Sequence, residues 1–138
     1  MKVYVDSSVI LRIIFGESDR LARWDDIEES VASVLLHVEC YRSIDRARVA
    51  RAADSQNILT YRNATSSILE RITLVDVTSA VIARAVQPLP FVIRTLDAIH
   101  LATALQWREQ NDRDIAFATH DRSLGEAARA TGFRVLGL

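Results

Sequence analysis

Short β-prone runs alternate with helix-prone stretches along this chain, and that alternation constrains the fold more than any other feature. The β-prone runs lie at residues 3–5, 31–34, 74–77, 114–118 and 133–136. Between them, apolar residues recur at helical spacing. Ser7 or Ser8 opens a helix through Ile10, Leu11, Ile13 and Ile14 that stops near Gly16. A short helix is expected over 21–24, a long one over 37–53 and another over 59–72. Thr78 or Ser79 opens the next, through Val81, Ile82, Ala85 and Val86, and Pro88 and Pro90 break it. Thr95 caps a helix over 96–107, and a last helix over 122–130 ends at Gly132. A strand reached through a helical crossover runs parallel to the one before it. The expected fold class is therefore α/β: three layers, α/β/α, around a central, mostly parallel sheet of about five strands. No linker and no repeat interrupts it, so residues 1–138 are read as a single domain.

Composition narrows the function classes. With 138 residues, 49% hydrophobic and only 4 Gly and 2 Pro, the chain has enough apolar material for a core and is not a disordered segment. Its one cysteine, Cys40, cannot form an internal disulfide, which excludes a secreted disulfide scaffold. It is read as a buried thiol, and Trp24 and Trp107 as packing or interface residues. No apolar run is long enough to span a membrane, and Asp6 interrupts any signal-peptide core, so a cytoplasmic protein is expected. The net charge of −1 argues against a generally basic nucleic-acid binder. That total hides an acidic stretch over 17–29 and a basic one over 41–62, where Arg42, Arg46, Arg48, Arg51 and Arg62 face Asp45 and Asp54.

Parallel sheets gather their chemistry at the carboxyl ends of the strands. Asp6 ends the first run and Asp121 follows the fourth. Glu39 and Asp97 stand in the first turns of helices that begin at the same edge. Each has a plain structural reading: Asp97 and Glu39 complement a helix dipole, Asp121 caps a helix, Asp6 serves a turn. Their surroundings favour a shared site. Asp97 lies in an almost wholly apolar helix, and Glu39 follows Val34, Leu35 and Leu36. Ionised carboxylates in such company need a partner, and four together repel one another. A divalent cation relieves both problems, and oxygen ligands without a Cys/His cluster select Mg²⁺ or Mn²⁺ over zinc. Such a site suits phosphodiester hydrolysis. Asp112 and Asp114 lie close enough to stand in for Asp121.

Four segments in order resemble the motifs of PIN-domain ribonucleases, and within them the small VapC toxins of toxin–antitoxin pairs. They are Val3-Tyr4-Val5-Asp6-Ser7-Ser8, His37-Val38-Glu39-Cys40-Tyr41-Arg42, Leu96-Asp97-Ala98-Ile99-His100-Leu101-Ala102-Thr103-Ala104 and Ala118-Thr119-His120-Asp121. The third is the most specific, and the resemblance runs end to end. It implies a PIN-like fold and a metal-dependent endoribonuclease. In that reading Asp6, Glu39, Asp97 and Asp121 are both the catalytic and the metal-binding residues for Mg²⁺ or Mn²⁺. Ser7 and Thr119 support the site by hydrogen bonds. The resemblance also implies a structured RNA substrate such as tRNA or rRNA, a cognate VapB-like antitoxin and a homodimer.

Arg42 and Arg46 share a helix face with Glu39 and are candidates to grip RNA phosphates; the plainer reading is an ion pair between Arg42 and Glu39, or a solvated face. His100, three residues after Asp97, could face the site, but between Ile99 and Leu101 it reads rather as a packed core residue; His120 reads as a loop residue turned from the site. The apolar residues from Ile10 to Phe15 either cover the sheet or offer a groove to a partner. Rival readings are a PIN-like RNA-processing or DNA-directed nuclease and a non-catalytic metal- or protein-binding module. A receiver domain needs a late lysine, whereas the single lysine here is Lys2; a haloacid-dehalogenase-type site needs an acid where Ser8 stands.

Overall fold

Every pair of neighbouring strands is parallel, so each strand is reached by a crossover, and helices supply them. The computed structural model describes residues 1–111 and 114–138. In chain order the elements are β1 (Lys2–Val5), α1 (Ser7–Ile14), a 3₁₀ turn (Trp24–Asp26), β2 (Glu29–Ser33), α2 (Leu35–Val49) and α3 (Ser55–Leu69). Then follow β3 (Ile72–Val75), α4 (Ser79–Ala85), α5 (Thr95–Gln110), β4 (Ala116–Ala118), α6 (Arg122–Ala130) and β5 (Val135–Leu136). The strand order across the sheet is β3-β2-β1-β4-β5. This is the expected α/β/α architecture with five parallel strands.

Side chains alternate across the sheet with the period of two that a strand imposes. Val3 and Val5 of β1, Ala32 of β2 and Ala116 and Ala118 of β4 face one core, shared with Val9, Ile10 and Ile14 of α1 and Leu36, Cys40 and Ile44 of α2. Tyr4, Val31 and Phe117 face the other, shared with Leu101 and Ala104 of α5 and Leu124, Ala127 and Ala128 of α6. Tyr4 stacks on Phe117, and Phe133 meets Phe117 edge-on. Leu11, Ile13 and Phe15 pack against the first core, and Phe15 meets Tyr61 edge-on at 5.0 Å, so the apolar run of α1 covers the sheet. Cys40 is fully buried, as a core thiol should be. Trp24 and Trp107 pack against the two cores. Among the described residues, no helix is long and apolar enough to cross a membrane.

Several boundaries move, each for a local reason. Asp6, not Ser7 or Ser8, caps α1: its carboxylate accepts the Val9 N–H, so the residue that leaves β1 is also the one that starts the helix. The short helix expected over 21–24 is a 3₁₀ turn three residues later. The helix expected over 37–53 is α2, which ends at Val49 before Arg51 adopts a positive φ of 53°. Asp54 caps α3 through the Asn57 N–H. The third strand begins at Ile72, which pairs with Ser30, rather than at Leu74. Thr95 is inside α5, and Arg94 holds its cap position.

Candidate active site

The sheet order reverses between β1 and β4: β2 and β3 lie to one side of β1, and β4 and β5 to the other. Loops diverge at such a switch point and leave a crevice at the carboxyl ends of the two strands. Asp6 is the first residue beyond β1, and its N–H bonds to Ala118 at the end of β4. Asp121 follows β4 and caps α6, its Oδ1 accepting the Leu124 N–H at 2.9 Å. Glu39 comes from the second turn of α2, and Asp97 from the first turn of α5. All four acids line one cleft of about 680 Å³, together with Ser7, Ser8, Arg42, Arg46 and Arg94. Asp114 sits in the turn before β4, at the other end of that strand, and Asp112 lies outside the described residues.

The floor of the cleft is a closed network around Asp6. Asp6 is 4% exposed. Oδ1 accepts from Ser8 Oγ at 2.6 Å, and Oδ2 from Thr119 Oγ1 at 2.8 Å. Both hydroxyls are themselves fixed: Ser8 Oγ accepts the His120 N–H and Thr119 Oγ1 the Asp121 N–H. Burial nevertheless dominates and raises the Asp6 pKa above its ordinary value; the donors from Ser8 and Thr119, and the charge of His100, only moderate the rise.

Glu39 is held from two sides. Ser7 Oγ donates to Oε2 at 2.8 Å, and His100 Nε2 lies 2.6 Å from Oε1. His100 is 1% exposed, and its Nδ1 is 3.2 Å from the Tyr4 hydroxyl, which also receives the Ser33 N–H. Burial alone would lower the His100 pKa, but its hydrogen bond to Glu39 and the charges of Glu39, Asp6 and Asp97 raise it. Burial alone would likewise raise Glu39, and the His100 bond and charge, with the Ser7 donor, bring it below the ordinary carboxylate value. The imidazole thus bridges the Tyr4 hydroxyl on the sheet and Glu39 at the cleft, and the Glu39 carboxylate favours its protonated form. The same burial pushes the Tyr4 hydroxyl well above its ordinary pKa and the neighbouring Cys40 thiol up to about 12, so neither ionises here.

The other two acids are bridged by Arg94. Its Nε is 3.4 Å from Asp97 Oδ2, and another guanidinium nitrogen 3.5 Å from Asp121 Oδ2. Arg42 pairs with Asp45 at 2.9 Å rather than with Glu39, and Asp45 also holds Arg48; both arginines keep the Asp45 carboxyl low. Among the described residues Arg46 forms no ion pair. No three acidic, His or Cys side chains among the described residues are drawn close enough to share one ion as they stand. The donor set itself is four carboxylates and hydroxyls in one cleft, which fits a hard divalent cation.

A family model for the PIN domain matches residues 3–130. The chain belongs to the PIN-domain family. Within that family it is similar to VapC proteins of Mycobacterium tuberculosis. It is 33% identical to "Ribonuclease VapC46", over 97% of this chain and 95% of that one. It is 32% identical to "Ribonuclease VapC35", with the same coverage. A solved structure, VapBC2 from Rickettsia felis bound to a DNA fragment from its promoter, contains a chain that superposes on this PIN domain with a TM-score of 0.66. That match covers 98% of this chain and 97% of the other at 10% identity, a likeness of fold.

Two cleft residues of this PIN domain, Arg94 and Ser8, and the specific partner of His100 behind the cleft escape the sequence reading. Arg94 carries a local signal, three residues before Asp97, but its bond to Asp121 spans the fold. Ser8 is read as a cap yet ties Asp6 to the backbone of His120. His100 is buried as expected and is also bonded to Glu39. His120 turns from the cleft, and its Nδ1 lies 2.7 Å from the Gly137 carbonyl.

Proposed function

We propose that residues 1–138 form one PIN domain acting as a divalent-cation-dependent endoribonuclease, the toxin of a VapBC-type pair, with structured RNA such as tRNA or rRNA as substrate. The observation that carries this reading is the convergence of Asp6, Glu39, Asp97 and Asp121 from four separate segments on one cleft at the switch point of the sheet. The VapC likeness supports the ribonuclease class and a VapB-like antitoxin as partner. A homodimer is part of the same proposal.

In this reading the four acids hold Mg²⁺ or Mn²⁺. The cation supplies the activation of water and the neutralisation of charge on the scissile phosphate. The chain's own residues do the positioning. Ser7 and His100 fix both oxygens of Glu39, and Ser8 and Thr119 fix those of Asp6. Two carboxylates are thereby oriented before any ligand arrives, so no side-chain freedom is lost there on binding. Arg42 and Arg46 give the cleft rim a cationic edge for the RNA backbone.

The test is cleavage of total cellular RNA by purified, antitoxin-free protein with Mg²⁺, with Mn²⁺ and with EDTA, beside Asp97→Asn. Discrete fragments are expected only from the wild type and only with a cation. Cleavage in EDTA, or wild-type turnover by Asp97→Asn, overturns the site assignment. Cleavage of DNA in preference to RNA overturns the substrate class.

A further inference from the structure

Arg94 differs from the other arginines that line the cleft. Its side chain is 81% exposed, while the two carboxylates it bridges, Asp97 and Asp121, are 15% and 30% exposed. The contacts, at 3.4 and 3.5 Å, go to two different acids, one nitrogen to each. Arginine holds a carboxylate most firmly as a two-pronged fork. This molecule contains one: Arg84 meets both oxygens of Glu109 at 2.6 and 2.7 Å. The Arg94 bridge is thus a long, solvated contact, of the class that contributes little and is easily given up.

The other two acids stand in contrast. Asp6 and Glu39 are oriented by hydroxyls and by a buried histidine, at 2.6–2.8 Å. Asp97 and Asp121 have one exposed guanidinium between them. A monovalent charge spanning two carboxylates, in a cleft whose donors suit a divalent ion, occupies the electrostatic role of that ion.

We propose that Arg94 is an exchangeable counter-ion of the acid site: it neutralises Asp97 and Asp121 until a divalent cation enters, and gives them up to that cation. The proposal rests on the metal-dependent reading above. Exchange makes cation uptake weaker than the four acids alone would give. It also frees the guanidinium at a rim that already carries Arg42 and Arg46.

The experiment measures Mn²⁺ uptake by RNA-free protein at low ionic strength, using the electron paramagnetic resonance signal of free Mn²⁺. The wild type is compared with Arg94→Gln and Arg94→Lys. Arg94 is an exposed residue at a helix start, so both variants should melt with the wild type. Removing two long, exposed ion pairs is expected to tighten Mn²⁺ binding by roughly two- to tenfold in Arg94→Gln. Arg94→Lys, which keeps the charge, should stay near the wild type. Equal or weaker binding by Arg94→Gln overturns the exchange and leaves the metal site standing. No Mn²⁺ uptake by any of the three proteins overturns the metal reading and the exchange with it.

Discussion

Asp6 is the acid whose charge the fold tolerates least, and replacing it tests that statement directly. Its carboxylate is buried, and among the described residues no arginine or lysine pairs with it. Moving an ion of this size out of water costs several kcal/mol in a real protein. Two hydroxyl donors return about 1.5–3 kcal/mol each as bonds to a charged acceptor. With the Val9 N–H and the His100 charge they offset most of that cost, and the raised pKa leaves a remainder on the order of 1 kcal/mol against the ionised form. Asp6→Asn removes the charge, keeps an acceptor for Ser8 and Val9, and turns an amide N–H towards Thr119. In EDTA near pH 7.5 this variant should therefore be more stable than the wild type by about 1 kcal/mol, or about 3–4 °C in Tm for a chain of this length. The sign depends on pH. A carboxyl whose folded pKa is raised opposes folding only when ionised, so the advantage should shrink as the pH falls towards 4. Saturating Mn²⁺ should reverse the order, because ligand binding stabilises only the protein that binds it, by about 2.7 kcal/mol at a hundredfold excess over Kd. The assay is thermal unfolding by circular dichroism at several pH values with EDTA or Mn²⁺. An Asp6→Asn protein that melts below the wild type in EDTA at pH 7.5 refutes the reasoning.

The Glu39–His100 pair should give a second pH signature. His100, raised, contributes stability that is present below its unfolded value near 6.5 and lost as the pH rises through its folded value. Glu39, lowered, contributes stability that is present above about 4.5 and lost as the pH falls through its folded value. Glu39→Gln should flatten both arms of the Tm-against-pH curve, and an unchanged curve would contradict the pairing. Arg46→Ala should weaken RNA binding and reduce its log–log salt slope by about one phosphate contact, read by fluorescence anisotropy at several salt concentrations; the same slope as wild type would remove Arg46 from the interface. Gly137→Ala should cost about 2–4 kcal/mol in a denaturant titration, because φ is +94° and a Cβ there would stand 2.6 Å from the Thr119 carbonyl. Loss of less than about 1 kcal/mol would mean that the segment yields.

Much of the fold is legible because two periodicities, one for strands and one for helices, are written in separate segments. The acids are legible for a related reason, since a polar residue at the end of an apolar run marks the sheet edge. What stays hidden is hidden for physical reasons. Asp6 is masked as a cap because Ser7 and Ser8 beside it are equally good cap residues, and β1 passes into α1 with no loop between them. Ile72 reads as the end of a helix, and only its pairing with Ser30 makes it a strand. The burial of His100 follows from Ile99 and Leu101, but its partner Glu39 is 61 residues away. The Arg94–Asp121 bridge is equally tertiary. Local spacing does not encode contacts of that range.

The strand order also sets when the cleft can exist during synthesis. β1 and β2 are made early, yet the other wall of the crevice is β4, which arrives with residues 116–118, and Asp121 follows it. Ribosomes add about 5–20 residues per second, so roughly 6 to 23 s separate Asp6 from Asp121 in the making of each molecule. Even once Asp97 has been made, and the chain holds three of the four acids, it still lacks the strand that closes the crevice beside Asp6. Thr119, which orients Asp6 from across that gap, is missing too. The layout therefore works as a timer: a nascent chain cannot assemble its acid site until nearly all of the sheet has been made.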